Sequence, residues 1–227
     1  MADFYAMLKK LLIVLLYLPV LGFSQSYNYK YNQISVPEGL SNSHVKTIFQ
    51  DYLGFIWIGT DNGLNRYDGY SCKVFKHRLN DSGSLPDNEI FLIFEDSDKN
   101  LWIGTALGLC RYDRNTNSFI IHTELKKRVI NLVEDKNKTL YTSAGTLVYA
   151  KRKNDNKFRY LFKFAENDEI TGMYFDSRGI CWMVTRENFI YNYNTKLKKL
   201  TERKDIPVKD ITQVLEDRHH NILFSTV

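Results

Sequence analysis

Short apolar segments separated by polar, glycine-containing turns run through most of this chain. The stretch Phe49 to Asp68 reads FQDYLGFIWIGTDNGLNRYD, and the pattern returns at Phe94 to Asp113 as FEDSDKNLWIGTALGLCRYD. The two stretches align at an offset of 45 residues, which places Trp57 over Trp102. Two matches of this length indicate a duplicated structural unit and predict several short strands in each copy.

Three weaker copies follow, and each keeps an aspartate with an aromatic or apolar residue six positions later. These pairs are Asp135 with Tyr141, Asp176 with Trp182, and Asp217 with Leu223. Successive aspartates of the five copies are 45, 39, 41 and 41 residues apart. A repeat of this length is one supersecondary unit that cannot bury its apolar surface alone, so neighbouring copies are expected to stack.

Each copy predicts four strands. In the first copy they are expected at Val45 to Gln50, Phe55 to Thr60, Leu64 to Tyr67 and Ser71 to Lys76. Gly54 and, in the fourth copy, Gly179 supply the positive φ that a hairpin turn needs. The first strands of two copies, Val45 to Gln50 and Ile90 to Glu95, are expected to be apolar on both faces, which is typical of strands between two sheets. Four antiparallel strands per roughly 40 residues describe a propeller blade, so the expected fold class is all-β, a β-propeller of four-stranded antiparallel blades.

The repeats define one domain, 25–227, with copies at about 45–76, 90–122, 129–162, 170–200 and 211–227. The last copy holds two strands, so we expect an incomplete propeller of about four and a half blades and a chain that is a fragment of a longer protein. Residues 27–34 alternate apolar and polar side chains and correspond to the fourth strand of a copy. We interpret them as a ring-closing strand.

The N-terminus has the pattern of a signal peptide, residues 1–24. Lys9 and Lys10 precede an apolar run from Leu11 to Phe23, and this run is shorter than the roughly 20 residues of a membrane span. Gly22 and Ser24 are small residues that predict cleavage before residue 25. The alternative is an anchor helix that stays in place. We expect an exported, periplasmic protein.

Composition places the chain among globular proteins, since it has 227 residues, of which 44% are hydrophobic and 14% aromatic. Its three cysteines, Cys72, Cys110 and Cys181, occupy non-equivalent positions of three copies. We therefore interpret them as buried or half-buried free thiols and not as a disulfide framework.

The net charge of +5 is a modest excess. Basic clusters stand at Lys126-Lys127-Arg128, at Lys151-Arg152-Lys153 and from Lys196 to Lys199. They lie between predicted strands, where they form either solvated loops or a surface for an anionic ligand. Nucleic acid is not expected as a partner, because the chain is exported and the basic residues share no helix or aromatic platform.

Candidate chemistry is sparse. The run Asp96 to Asn100 imitates the first half of a calcium loop, but Leu101 stands where that loop requires glycine. His219 and His220 fall in a predicted turn, where adjacent side chains point apart and make a poor metal site. The recurring Asp, Trp and Gly residues are expected to hold turns and packing. We therefore expect no catalytic residue, metal or cofactor and identify no ligand-binding residue, although paired carboxylates for glycoside cleavage stay open.

Two copies resemble the two-component regulator propeller repeat. The residues that carry the resemblance are Gln50-Asp51, Ile56 to Thr60, Gly63-Leu64 and Arg66 to Asp68, with their equivalents Glu95-Asp96, Leu101 to Thr105, Gly108-Leu109 and Arg111 to Asp113. The segment Glu38 to Asn42, after a signal peptide, is similar to the start of the periplasmic sensor of a hybrid two-component regulator of the Bacteroidetes type.

This resemblance implies the architecture of the whole protein. Such proteins carry two seven-bladed propellers, an immunoglobulin-like domain, a membrane helix, a histidine kinase and often receiver and DNA-binding domains. They are homodimers anchored in the inner membrane, and they sense oligosaccharides released from glycans. The expected partners of this chain are therefore an oligosaccharide, the remaining blades and the downstream domains. The motif describes the blade scaffold, so it implies no ligand residue.

Three functions stay open at this point. The first is an exported ligand-sensing module that signals to a downstream histidine kinase. The second is a propeller enzyme, either quinoprotein-like or acting on polysaccharides. The third is a surface scaffold that binds without signalling.

Overall fold

The computed structural model of the protein describes residues 1, 4–5, 7–10, 33–165, 168–206 and 210–226. Contacts divide the chain into Met1–Gln33 and Ile34–Val227. In the first unit, residues 4–5 and 7–10 are helical, and no helix in the described ranges is long and apolar enough to cross a membrane. Most of the predicted signal peptide and of the predicted strand 27–34 lies outside the described residues, so both stay predictions.

The described residues of the second unit form five antiparallel sheets, which we call blades 1 to 5 in chain order. Blade 1 contains β1 (Val45–Gln50), β2 (Ile56–Thr60), β3 (Gly63–Tyr67) and β4 (Cys72–Phe75), and blade 2 contains β5 (Ile90–Glu95), β6 (Leu101–Thr105), β7 (Gly108–Asp113) and β8 (Ser118–Ile121). Blade 3 contains β9 (Leu132–Glu134), β10 (Leu140–Ala144), β11 (Leu147–Lys151) and β12 (Arg159–Lys163). Blade 4 contains β13 (Ile170–Phe175), β14 (Ile180–Thr185), β15 (Ile190–Asn194) and β16 (Lys199–Glu202), and blade 5 contains β17 (Ile211–Glu216) and β18 (Ile222–Thr226).

Each four-stranded blade is a meander in which consecutive strands pair. In blade 1, Thr60 pairs with both Val45 and Gly63, so the start of β1, the end of β2 and the start of β3 lie at one end of the blade. We call this the loop end, because the connections between blades also lie there. The opposite end carries the turn from the first to the second strand and is called the turn end.

The apolar core lies between successive blades, as the repeat predicts. Between blades 1 and 2, buried Trp57 and Leu64 pack with Ile90 and Ile103. Three similar clusters fill the next three interfaces. Each large buried side chain contributes about 1.5 to 3 kcal/mol, so stacking of the sheets stabilises the array.

Glycine at the third position of the Trp-Ile-Gly-Thr pattern permits this close stacking. A Cβ atom on Gly59 would lie 2.6 Å from Cγ2 of Ile90 in blade 2. A Cβ atom on Gly104 would lie 2.4 Å from the backbone oxygen of Val129, just before blade 3. Both distances are far shorter than van der Waals contact, so a side chain at either position would push the blades apart.

The expectation that Val45–Gln50 is covered on both faces is wrong. The Ile48 side chain is 65% exposed, because no other sheet packs on this face of blade 1 in the described part of the chain. In the equivalent strand of blade 2, Ile93 is 5% exposed, since blades lie on both sides. Several strand bounds also differ from the prediction by one residue, as at β2, which begins at Ile56.

Candidate functional site

The aspartate that recurs in every blade holds the turn between the first and second strands. In blade 1, Oδ1 of Asp51 accepts hydrogen bonds from the backbone N–H groups of Leu53 and Phe55, both at 3.0 Å. The same pair of bonds forms at Asp96, Asp135, Asp176 and Asp217. The recurring aspartate is therefore committed to its own turn.

The second oxygen of this aspartate binds the recurring aromatic residue. The indole N–H of Trp57 donates to Oδ2 of Asp51 at 2.8 Å, and Trp102 and Trp182 bind their aspartates in the same way. Burial raises the pKa of Asp51, but hydrogen bonds from Trp57 and Arg114 outweigh it and hold the pKa below its ordinary value. The carboxylate is thus ionised at neutral pH and serves as a structural acceptor.

The third residue after each aspartate takes a positive φ. Gly54 and Gly179 confirm the prediction, with φ of 88° and 83°. The equivalent residues in the other blades are not glycine: Lys99, Lys138 and His220 have φ of 67°, 61° and 65°. The paired hydrogen bonds to the aspartate hold these residues in a conformation that costs about 1 to 2 kcal/mol for an L residue.

Blades are also joined at the turn end by a repeated contact. The first residue after the aspartate donates its backbone N–H to a glutamate of the next blade, which links Tyr52 to Glu95, Ser97 to Glu134 and Ser177 to Glu216 at 2.7 to 3.0 Å. The two serines add a bond from Oγ to the same carboxylate, at 2.8 and 2.7 Å. These carboxylates are structural, which removes them from the candidates for acid–base chemistry.

His220 makes the arrangement at blades 4 and 5 look like a catalytic triad. Its Nδ1 atom lies 3.0 Å from Oγ of Ser177 and 3.0 Å from Oε1 of Glu216. A proton relay needs the serine and the carboxylate on different ring nitrogens, whereas here both contact Nδ1. The group therefore lacks the geometry of a nucleophilic site.

The other sequence candidates have structural partners. Within the calcium-like segment, Asp98 pairs with Lys138 at 2.5 Å. In the ranges that the structure describes, no group of three or more His, Cys, Asp or Glu residues is arranged to hold a metal ion. Cys110 and Cys181 are buried and Cys72 is half-buried, all three free, as predicted. Burial raises the pKa of the Cys110 and Cys181 thiols, which makes them unreactive.

Charged side chains gather at the loop end across blades 1 and 2. The Lys46 ammonium binds Oδ1 of Asp61 at 2.7 Å and also binds Glu89, while His44 contacts Asp61. The Nζ atom of Lys46 lies 4.0 Å from the centre of the Phe91 ring. Burial lowers the pKa of Lys46, but its hydrogen bonds to the two carboxylates outweigh this effect and raise the pKa above the ordinary value.

The same surface continues onto blades 3 and 4. The Arg128 guanidinium lies 5.4 Å from the Phe91 ring centre and 2.6 Å from Glu169, and Arg186 lies 2.8 Å from the same carboxylate. We call the set Lys46, Asp61, Glu89, Phe91, Arg128, Glu169 and Arg186 the loop-end face. It places cationic hydrogen-bond donors and carboxylate acceptors around one aromatic ring. Surfaces of this type bind polar ligands.

Sequence reasoning missed most of the loop-end face. It noted Arg128 only as part of a basic cluster. A usable signal was present, because Lys46 and Asp61 align with Phe91 and Ala106 in blade 2 and thus depart from the repeat. Positions whose residue type differs between repeats do not serve the packing that is common to all blades, so they are candidates for a specific function.

Two clefts open at the turn end, between blades. The first, about 410 Å³, lies between blades 2 and 3 and is lined by residues that include Asp98, Trp102, His122, Lys138 and Lys153. The second, about 610 Å³, lies between blades 3 and 4. Both volumes fall in the range of small-molecule sites, about 300 to 1,000 Å³.

Stacked four-stranded antiparallel sheets define the chain as part of a β-propeller, and solved structures confirm this fold class. The extracellular domain of BT4673 from B. thetaiotaomicron, a hybrid two component system by its description, has a TM-score of 0.69 and 23% identity, covering 87% of this chain and 27% of that chain. Virginiamycin B lyase from Staphylococcus aureus has a TM-score of 0.68 and 14% identity, covering 88% of this chain and 68% of that chain. At these identities both similarities concern the fold.

Two blades of this propeller carry the two-component regulator propeller repeat. The model of that family matches residues 39–62 and 84–106, which confirms the resemblance in blades 1 and 2. A 62-residue stretch is 37% identical to Histidine kinase P4 of Formosa agariphila. That stretch is 27% of this chain and 4% of the kinase, so the chain corresponds to a small part of the relative that it matches.

Proposed function

We propose that this chain is the extracellular ligand-sensing module of a two-component signalling protein. The observation that carries the proposal is the pair of regulator propeller repeats, together with the stretch that is similar to a histidine kinase. The propeller serves as a receptor, and the kinase that it controls belongs to the rest of the protein. The module lies in the periplasm and is exported by the predicted signal peptide, residues 1–24.

The ligand in this proposal is an oligosaccharide released from a glycan. The loop-end face supports it, because ionised donors and acceptors such as Lys46 and Glu89 can hydrogen-bond sugar hydroxyl groups. Rearrangement of these ion pairs on binding would change contacts between blades 1 and 2, which Lys46 and Glu89 join. Binding energy can thus reach the blade interface and shift the equilibrium between two states of the sensor.

The test uses the full-length protein in native membranes. Oligosaccharides from a panel of digested polysaccharides are added with ATP, and phosphorylation of the protein is measured. We expect one class of oligosaccharide to change phosphorylation several-fold. The double variant Lys46→Gln with Glu89→Gln should lose the response, while Lys198→Gln, an exposed lysine at the turn end, should keep it.

The alternatives give different results in the same assay. Cleavage of an oligosaccharide without a change in phosphorylation would replace the proposal with a propeller enzyme. Binding that neither cleaves the sugar nor changes phosphorylation would replace it with a non-signalling scaffold. An alkaline phosphatase fusion after residue 226 tests export, since that enzyme is active only outside the cytoplasm; inactivity of the fusion would contradict the periplasmic location.

A further inference from the structure

The cleft between blades 3 and 4 brings together basic residues from two of the clusters in the sequence. Arg152 and Lys153 come from the connection between β11 and β12, and Lys196 comes from the connection between β15 and β16. The remaining lining is mostly polar and uncharged: Asn137, Thr139, Tyr141, Asn154 and Thr195. The sequence placed these basic clusters in separate loops, and the stacking of the blades makes them neighbours.

Two of these cations lack a carboxylate partner. Arg152 and Lys196 are exposed, and neither side chain forms an ion pair within the described parts of the chain. Three cations, Arg152, Lys153 and Lys196, line the cleft with two carboxylates, Asp135, which holds its turn, and Asp155, which pairs with Arg159 at 3.4 Å. The cleft therefore presents an excess of positive charge.

The neighbouring cleft, between blades 2 and 3, provides an internal comparison. There Asp98, the second residue after the turn aspartate, binds Lys138 at 2.5 Å and Lys153 at 3.2 Å. The equivalent residue of blade 3 is Asn137, which has no charge. The acid of blade 2 thus pairs with two lysines of blade 3, whereas blade 3 has an uncharged asparagine at the equivalent position facing the basic residues of its own cleft.

Tyr141 distinguishes this cleft further. It replaces the tryptophan of blades 1, 2 and 4, and its hydroxyl donates to Oδ2 of Asp135 over a long distance of 3.4 Å. Burial and the nearby carboxylate raise the pKa of Tyr141, so the hydroxyl keeps its proton. The single O–H of this phenol is directed at Asp135, and the phenol oxygen can accept a hydrogen bond at the buried side of the cleft.

We infer that the cleft between blades 3 and 4 is a binding site for an anionic saccharide, one that carries a carboxylate or a sulfate group. Arg152 and Lys196 bind the anionic group, the guanidinium by paired hydrogen bonds to two oxygens. The hydroxyl and amide groups of Thr139, Asn154 and Thr195 bind sugar hydroxyls. A volume of about 610 Å³ exceeds what a simple anion fills, which favours a ligand of one or more sugar rings.

This site is separate from the loop-end face, since it lies at the opposite end of the blades. Its ligand need not be the molecule that triggers signalling, so the inference and the proposed function can fail independently. Both cations are exposed, so the attraction is screened by salt, and binding should weaken as the ionic strength rises.

The experiment measures binding to the full chain by isothermal titration calorimetry at low ionic strength. The probes are an oligogalacturonide, a sulfated galactose oligosaccharide and a neutral galactose oligosaccharide of the same length. We expect at least one anionic probe to bind about ten-fold more tightly than the neutral one. The double variant Arg152→Gln with Lys196→Gln should lose that preference.

Matched variants control for net charge and folding. Lys126→Gln with Lys127→Gln removes the same charge from exposed residues at the loop end and should leave binding unchanged. Asn137→Asp restores the acid of the neighbouring cleft and should weaken binding of the anionic probe several-fold without removing any contact residue. Loss of binding in Asn137→Asp with a native circular dichroism spectrum excludes misfolding as the cause.

Three results would overturn the inference. The first is binding of the neutral probe as tightly as both anionic probes. The second is an equal effect of the two double variants, and the third is binding of inorganic sulfate alone as tightly as the saccharides. The loop-end variant Lys46→Gln separates the two proposals. It should keep the anionic saccharide bound at the turn end even if it abolishes signalling.

Discussion

In each blade, one aspartate stabilises the turn between the first two strands, and in three blades it also binds the indole of a buried tryptophan. Oδ1 of Asp51 holds the turn, and Oδ2 binds the indole of Trp57, which is fully buried. The six-residue spacing follows from this geometry, since the aspartate begins the turn and the aromatic residue stands early in the returning strand. Blade 5 has Leu223 in place of the aromatic residue, and there Asn221 donates to Asp217 instead.

The recurring aromatic residue should contribute unequally to the free energy of unfolding in different blades. Trp102→Phe removes a hydrogen bond of 2.8 Å and leaves a small cavity, so we expect a loss of about 2 to 3 kcal/mol in the free energy of unfolding. Tyr141→Phe removes a contact of 3.4 Å and little volume, and it should cost less than about 1 kcal/mol. Urea unfolding of both variants measures the difference, and equal losses would contradict the role assigned to the indole bond.

At the scale of the element, blades differ in which strand carries the glycine that allows close packing against the neighbouring strand and blade. Blades 1 and 2 use Gly59 and Gly104 in their second strands. Blade 4 has Val184 at this position, but its partner across the strand pair is Gly172. In blade 4 the glycine is therefore on the first strand and the larger residue on the second. The cross-strand pair still combines one small and one large side chain.

This packing constraint predicts unequal effects of alanine. A Cβ atom on Gly104 would lie 2.4 Å from the oxygen of Val129 and 2.9 Å from Cβ of Leu92, so Gly104→Ala should destabilise the chain by about 3 kcal/mol. Gly54→Ala is the control, because nothing lies within 4 Å of its added Cβ atom and its cost, about 1 kcal/mol, comes from the positive φ alone. Thermal unfolding should rank the two variants in this order, and the reverse order would show that φ and not blade contact sets the cost.

At the scale of the whole molecule, each interior blade is covered by its neighbours, while one face of blade 1 is open among the residues that the structure describes. Ile48 and Val45 are exposed there, at 65% and 38%. The first strands of neighbouring blades pack together, as β1 does with β5 and β13 with β17. The open face therefore has the shape that accepts another blade, and the remaining blades of a longer protein are the proposed occupant.

Expressed alone, the chain should associate through this face. Ile48→Lys places a charge on it and should raise the monomer fraction in sedimentation velocity experiments, because a charged side chain opposes burial of the face. Leu79→Lys is the matched control, since Leu79 is 85% exposed in a loop and its substitution should change nothing. A chain that is already monomeric and melts cooperatively would contradict this prediction.

The sequence alone was sufficient for the fold because the fold is repeated. Five copies of one pattern each have an aspartate followed six residues later by an apolar or aromatic residue. Every copy therefore supports the same prediction of strands and turns, and the weaker match of blade 3 does not change that prediction. Strand, turn and stacking predictions depend on side chains close in sequence or on packing that every copy shares. The open face of β1 was missed because exposure depends on which neighbours are present.

Both candidate sites were decided by the tertiary structure. Lys46 binds Glu89, and Arg152 lines the same cleft as Lys196, because neighbouring blades stack in register, although these residues are 43 and 44 positions apart. No local pattern encodes such a pairing, since a repeat fixes the scaffold and leaves its variable positions unconstrained. The sequence thus determined the strands, turns and order of stacking, whereas the balance of charge in each cleft followed from which variable residues the stacking brought together.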